Sequence, residues 1–359
     1  MAITVRANAL ALSLVIAGLP LAAADRGEAK AAAPKITAKT EAKSKATTVK
    51  PEAPPKAGIK TPGIQIPFSR LKADAEIPGS PAWILPSDTL LVPAESGAGL
   101  QRIDLKTNKR GDAIAGVDKP CSGAVTAFKS LWVTNCADGT VVRMEPKTSK
   151  VEATLKIGVA NLQSGIVATA DSVWILTDAK TTLSRIDPES NSVVAELRVG
   201  AGCFDLQFGE TSLWLTCPAE DKLLRINPMT NLVEQRIKVA AKPTSLAFGD
   251  GSVWVLGAKE GKIDRIDPKT NKVIKTINLE VLDADGSIAF GEGALWASLT
   301  GFPLMRIDTT AEKETVLQQF SGEGGGLVFA TGGSVWLSNT KQATFVRLDP
   351  KRIVATLAE

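Results

Sequence analysis

Six tryptophans, Trp132, Trp174, Trp214, Trp254, Trp296 and Trp336, recur at spacings of 42, 40, 40, 42 and 40 residues. A fixed period of this length means that one supersecondary unit has been copied, and it constrains the fold more than length does. Eleven residues after nearly every tryptophan stands an arginine that opens an Arg-Ile-Asp-like triplet: Arg143, Arg185, Arg225, Arg265 and Arg347, with Arg306 displaced to ten. Arg102-Ile103-Asp104 demands a seventh, earlier unit, in which Leu91 takes the tryptophan slot. Seven units then span roughly residues 80 to 359.

Each unit reads as four short strands, A to D, separated by turn residues. In the fifth copy these are Thr244 to Phe248, Ser252 to Leu256, Lys262 to Ile266 and Lys272 to Ile277. Gly249-Asp250-Gly251 is a hairpin signal between A and B. Asp267-Pro268-Lys269-Thr270-Asn271 separates C from D, where proline presets φ and the aspartate caps the turn. Units of 40 to 45 residues with four strands are propeller blades, since a single blade cannot bury both faces and a radial set can. The expected fold is all-β, a seven-bladed β-propeller of four-stranded antiparallel blades over residues 66 to 359. The last unit ends in its own D-like strand, Arg352 to Leu357, and Ile66 to Ile77 reads as an extra outer strand for closing the ring. Residues present in every blade, the Trp, Arg and turn Asp sets, serve what all blades share; function belongs where the copies differ.

The ends and the composition bound the rest. Arg6 precedes an apolar run from Ala9 to Ala24 that ends Ala22-Ala23-Ala24, so residues 1 to 24 read as a cleavable signal peptide of a periplasmic or secreted protein. No other segment approaches 18 continuous apolar residues, which argues against a membrane span. Residues 25 to 65 are Ala, Lys, Thr and Pro with a net charge of +5, and read as a disordered linker. The alternative is a basic hook for an anionic cell-envelope polymer or headgroup. With Arg6 also set aside, the overall +4 leaves −2 on residues 66 to 359, a balance that speaks against a nucleic-acid surface. The chain has no histidine, so Ser–His–Asp and Cys–His catalysis are closed to it.

Cys121 and Cys203 occupy one repeat position, eleven residues before a tryptophan, while Cys136 and Cys217 lie four and three residues after theirs. The start of A and the end of B are neighbours in an antiparallel hairpin. The expected disulfides are Cys121–Cys136 and Cys203–Cys217, which an exported location permits. A four-cysteine zinc site is the competing reading, and it lacks close CxxC pairs.

The pattern Gly251-Ser252-Val253-Trp254-Val255 followed by Lys262-Ile263-Asp264-Arg265-Ile266-Asp267-Pro268-Lys269-Thr270-Asn271-Lys272-Val273 resembles the YVTN-type propellers and the streptogramin B lyase (virginiamycin B lyase) family of bacterial propellers. The resemblance covers about residues 80 to 359 and implies the fold. The lyase family opens a cyclic depsipeptide by elimination, with a histidine base and a magnesium ion at the top of the propeller. No position here can take over the histidine. Propeller lactonases that hold calcium with carboxylates are relatives by architecture only.

Ligands of such propellers meet the face that carries the D–A and B–C loops. Those loops differ most in the sixth blade, where Leu279 to Gly286 is long and acidic and Thr300-Gly301-Phe302-Pro303 carries an aromatic. The candidate ligand residues are Asp283, Asp285 and Phe302, with Asp205, Glu220 and Glu323 on the same face. Asp283-x-Asp285-Gly286 is a fragment of a calcium loop without a third acidic ligand or a closing Glu, which makes Asp283 and Asp285 incomplete candidates for Ca2+ or Mg2+. The leading expectation is a monomeric, non-catalytic binding or interaction propeller whose top face meets an unknown protein, peptide or small polar ligand. The rival is a metal-dependent lyase or lactonase that works with carboxylates alone. A structural or surface-layer component, in which the tail matters more than the top face, is the third.

Overall fold

The computed structural model describes residues 65–86, 89–159, 165–178, 181–283, 285–310, 315–339 and 342–356. The signal segment 1–24 and nearly all of the 25–65 linker lie outside the described residues. All described residues belong to one compact unit, Pro54–Glu359. They form seven separate sheets with a core of four strands each, joined as antiparallel meanders: a seven-bladed β-propeller. Blade five runs Pro243–Gly249, Ser252–Gly257, Lys262–Asp267 and Lys272–Asn278, which are the four strands read from its sequence. No helix among the described residues is long and apolar enough to cross a membrane.

The core lies between the blades. All six repeat tryptophans are fully buried. Each sits opposite its blade's arginine across strands B and C, as in Trp214↔Arg225 and Trp254↔Arg265, and Leu91↔Arg102 confirms the seventh slot. Trp174 packs on Leu213, Leu215 and Ile226 of the next blade, and Trp214 on Val253, Val255 and Ile266 of the one after. Both faces of strand B are therefore buried, because each is walled by a neighbour rather than by water.

The arginine fastens one blade to the next. The Arg225 guanidinium lies 5.3 Å from the Trp214 ring centroid. Its Nε donates to Ser212 Oγ at 2.9 Å, and Nη1 donates to the Pro268 carbonyl and to Asn271 Oδ1 of blade five at 2.5 and 2.9 Å. Asn271 has φ +58°, the left-handed conformation that asparagine tolerates at the end of such a turn. Asp267 opens the same turn. The Lys269 backbone N–H and the Thr270 hydroxyl on its carboxylate hold its pKa below the usual range. Arg143 reaches Asn191 and Arg185 reaches Asn231 in the same way. Arg306 departs from the set. Ala294 replaces the serine of its blade, and its Nε donates instead to Gln318 of its own blade at 2.8 Å.

Ring closure corrects the sequence reading. Arg352 to Leu357 is not a D strand: Pro350–Ala355 is a helix, α1, with the Asp349 carboxylate accepting Lys351 N–H at its start and proline in its first turn. That pairing is favoured at helix N-termini. The fourth strand of blade seven comes from the other end of the chain. Strand β2 (Ala75–Pro78) pairs antiparallel with Thr344–Leu348, and β1 (Gln65–Pro67) adds a parallel fifth strand to blade six. Ile66 to Ile77 is thus two strands on two blades. Arg347 completes the closure by donating to Leu105 O and Asn108 Oδ1 of blade one.

Both expected disulfides are present, Cys121–Cys136 in blade two and Cys203–Cys217 in blade four, each tying the start of A to the end of B.

Two outcomes follow. Arg225→Ala lowers unfolding stability by about 2–4 kcal/mol in urea melts, from lost charged hydrogen bonds and cation–π contact, and Arg225→Lys does not restore it because lysine lacks the planar fork. Arg306→Ala, which removes no clasp to a neighbouring blade, has a smaller effect. Replacing Cys203 and Cys217 together by serine costs about 3 kcal/mol, the chain-entropy value for a loop of this size.

Candidate functional site

The innermost strands of the seven blades surround a central cavity of about 440 Å3. Residues of all seven blades line it, from Trp83 and Ile84 in blade one to Leu327 and Phe329 in blade seven. Its size is that of a small-molecule site. Five aromatic residues line it: Trp83, Phe204, Phe248, Phe290 and Phe329. Among the described residues that do so, Asp205 is the single ionisable one.

Glycines make room for two of the phenylalanines. Phe248 lies over Gly209 of the preceding blade, where an added Cβ would approach its ring to 2.7 Å, and Phe290 lies over Gly249 in the same manner. The matching residue beside Phe208 is Thr169, which has its own Cβ, and Phe208 stands 40% exposed.

A second set of contacts stitches the inner strands together. In each of blades two to seven, the residue nine before the tryptophan precedes the one that pairs with the position just after it: Gly123, Gly165, Asp205, Ser245, Ser287 and Leu327. In blades four to six this side chain accepts a backbone N–H from the next blade's inner strand. Leu246 N donates to Asp205 Oδ2 at 2.7 Å, Ile288 N to Ser245 Oγ at 3.1 Å and Val328 N to Ser287 Oγ at 2.8 Å. Asp205 is 5% exposed, and Gln207 Nε2 lies 3.2 Å from its Oδ2 while donating to Leu246 O at 2.9 Å.

The other candidates from the sequence fall into two groups. Glu220, Asp283, Asp285 and Glu323 sit on the face carrying the D–A and B–C loops, linked through those loops. Lys242 bridges them: its N–H donates to Asp221 Oδ1, next to Glu220, and its Nζ pairs with Asp285 at 3.0 Å. Asp285 O accepts the Thr300 N–H, and Gly301 N–H donates to Gly324 O beside Glu323. Glu220 pairs with Lys222 at 3.0 Å, and the Asp283 backbone N–H donates to Lys259 O. The arrangement is an ion-paired rim. Among the described residues, no three His, Cys, Asp or Glu side chains gather as a metal site would need. Phe302 belongs elsewhere. It is no exposed loop aromatic but the first residue of Phe302–Asp308, 7% exposed and packed with Leu299, Met305 and Ile307. A B–C loop one residue short, the same deletion that displaces Arg306, draws it into the strand.

The sequence reading overlooked the aromatic lining at Trp83, Phe204, Phe248, Phe290 and Phe329. For Phe248 and Phe290 the signal was the Phe-Gly pair that ends strand A, visible once the copies are aligned.

No protein-family model and no curated protein matches the chain. Solved structures do. A streptogramin B lyase structure superposes with a TM-score of 0.59 at 16% identity, covering 76% of this chain and 94% of that one. BamB from Moraxella catarrhalis superposes with a TM-score of 0.56 at 11% identity, over 80% of this chain and 82% of that one. At such identities the likeness is one of fold, and it places the chain among propellers of the streptogramin-lyase-like architecture.

Proposed function

We propose that the chain is an exported, non-catalytic binding propeller whose ligand enters the central channel. The cavity walled by all seven blades carries this reading: it offers aromatic surface and hydroxyl groups and one carboxylate. On the rim, by contrast, Glu220 and Asp285 are ion-paired with Lys222 and Lys242. Two disulfides support work in an oxidising compartment, periplasmic or extracellular. They also stiffen hairpins that bound the channel, which favours a preorganised receptor.

The rival metal-dependent lyase or lactonase requires three or four oxygens converging on one ion. Asp283 and Asp285, its candidates, are exposed, and Asp285 is engaged with Lys242.

The test uses the uncharged dye N-phenyl-1-naphthylamine on the full-length protein. Its fluorescence is expected to rise saturably at one dye per chain, and Ala289→Phe, which places a ring in the channel, is expected to abolish the rise. Saturable binding unaffected by Ala289→Phe, or no binding at all, contradicts a receptor channel. In parallel, Ca2+ and Mg2+ added after chelation are expected to move the melting temperature by less than about 1 °C, since a ligand that binds only the folded state must raise it. A saturable rise lost in Asp283→Ala or Asp285→Ala supports the enzyme reading instead.

A further inference from the structure

Asp205 places a carboxylate at a repeat position where blades five and six make the same inter-blade contact with a hydroxyl. At the same repeat position, Ser245 and Ser287 accept the next blade's backbone N–H with a neutral hydroxyl, and the inter-blade contact is made equally well. Asp205 makes that contact to Leu246 with a carboxylate that also meets Gln207 Nε2 at 3.2 Å, and does so at 5% exposure. Taking a carboxylate out of water carries a desolvation penalty that a serine does not incur. Asp264, also buried, stands in strand C and accepts the Ala240 N–H at 2.7 Å and the Thr276 hydroxyl at 2.6 Å. Asp205 has donors of the same kinds, the Leu246 N–H and the Gln207 amide, and differs in that it lines the cavity.

In the same repeat column, blades two and three, on one side, have the glycines Gly123 and Gly165. On the other side stand the two serines. Trp83 of blade one lines the cavity three blades away, the greatest separation that seven blades allow. Aromatic walls attract a diffuse cation through their quadrupole. A hard divalent ion wants six or more oxygens, which such walls do not supply.

Resting on the channel-receptor reading above, we infer that the channel selects a small organic ammonium ion, with Asp205 as its counter-charge and the aromatic lining as its apolar wall. The enclosure of the cavity by all seven blades favours a free small molecule over the side chain of a docked protein.

The experiment is a thermal-shift titration of the full-length protein with phenyltrimethylammonium and with its uncharged isostere tert-butylbenzene, on the native protein, Asp205→Ser and Asp205→Asn. Serine is the residue that blades five and six use at this position, and asparagine keeps the acceptor, so both variants preserve the Leu246 contact. The native protein is expected to show a saturable rise with phenyltrimethylammonium. Its apparent affinity should exceed that for tert-butylbenzene at least ten-fold and fall at least ten-fold in both variants. Equal binding of the two compounds, or undiminished binding by Asp205→Ser, overturns charge selection while leaving the dye result, and the receptor channel, intact. No shift with either compound overturns the inference as well, and the dye titration then decides whether the channel binds anything. Response to a lysine-bearing peptide but not to phenyltrimethylammonium overturns the small-molecule assignment.

Discussion

The arginine clasp is the interaction on which the rest depends. A propeller blade holds its own strands by backbone hydrogen bonds, but nothing in that ladder joins one blade to the next. Here a guanidinium stacked on its own blade's tryptophan reaches into the C–D turn of the following blade. Only a planar, permanently charged fork can bond a serine behind it and an asparagine and a carbonyl ahead of it at once. The turn asparagines at φ 53–58° are the other half of the device, since their left-handed backbone turns the amide toward the arginine. Blade two has Ser149 in that place, and among the described residues Arg102 reaches across to the Pro146 carbonyl. The clasp recurs from blade seven to blade one, where Arg347 meets Asn108 across 239 residues of sequence.

Local and repeated features were legible in the sequence, and those set by distant parts of the chain were not. The arginine column is written seven times over and the tryptophan column six, so their meaning survives exceptions such as Leu91. The cysteines could be paired because a hairpin fixes which positions adjoin. Closure was a different matter. Ala75-Glu76-Ile77-Pro78 has little strand character of its own, and it becomes a strand only because Thr344–Leu348 offers it an edge. With that edge taken, the chain after Asp349 has no sheet to join. The same Asp-Pro pair that opens a C–D turn elsewhere caps a helix there. Phe302 was misplaced for a similar reason, since one deleted loop residue moves an aromatic from solvent to core.

The repeat also provides an internal control for function. Asp205, Ser245 and Ser287 make one inter-blade contact beside the channel, and two of the three make it with a hydroxyl. Asp205 makes it with a carboxylate. The rim residues yield no such comparison, because exposed loop charges paired with lysines are what any soluble propeller carries. The candidate site thus moves from the acidic sixth-blade loops, chosen for their length and charge, to the inner wall of blade four.

The most direct measurement of this account is the urea unfolding of Asp205→Ser against the native protein. If the carboxylate is surplus to the fold, the serine variant keeps the inter-blade hydrogen bond, sheds the desolvation penalty and unfolds within about 0.5 kcal/mol of the native protein or is more stable. A loss of more than about 2 kcal/mol, the range for a broken buried network, would make Asp205 a structural residue and remove the reason to look for a cation in the channel.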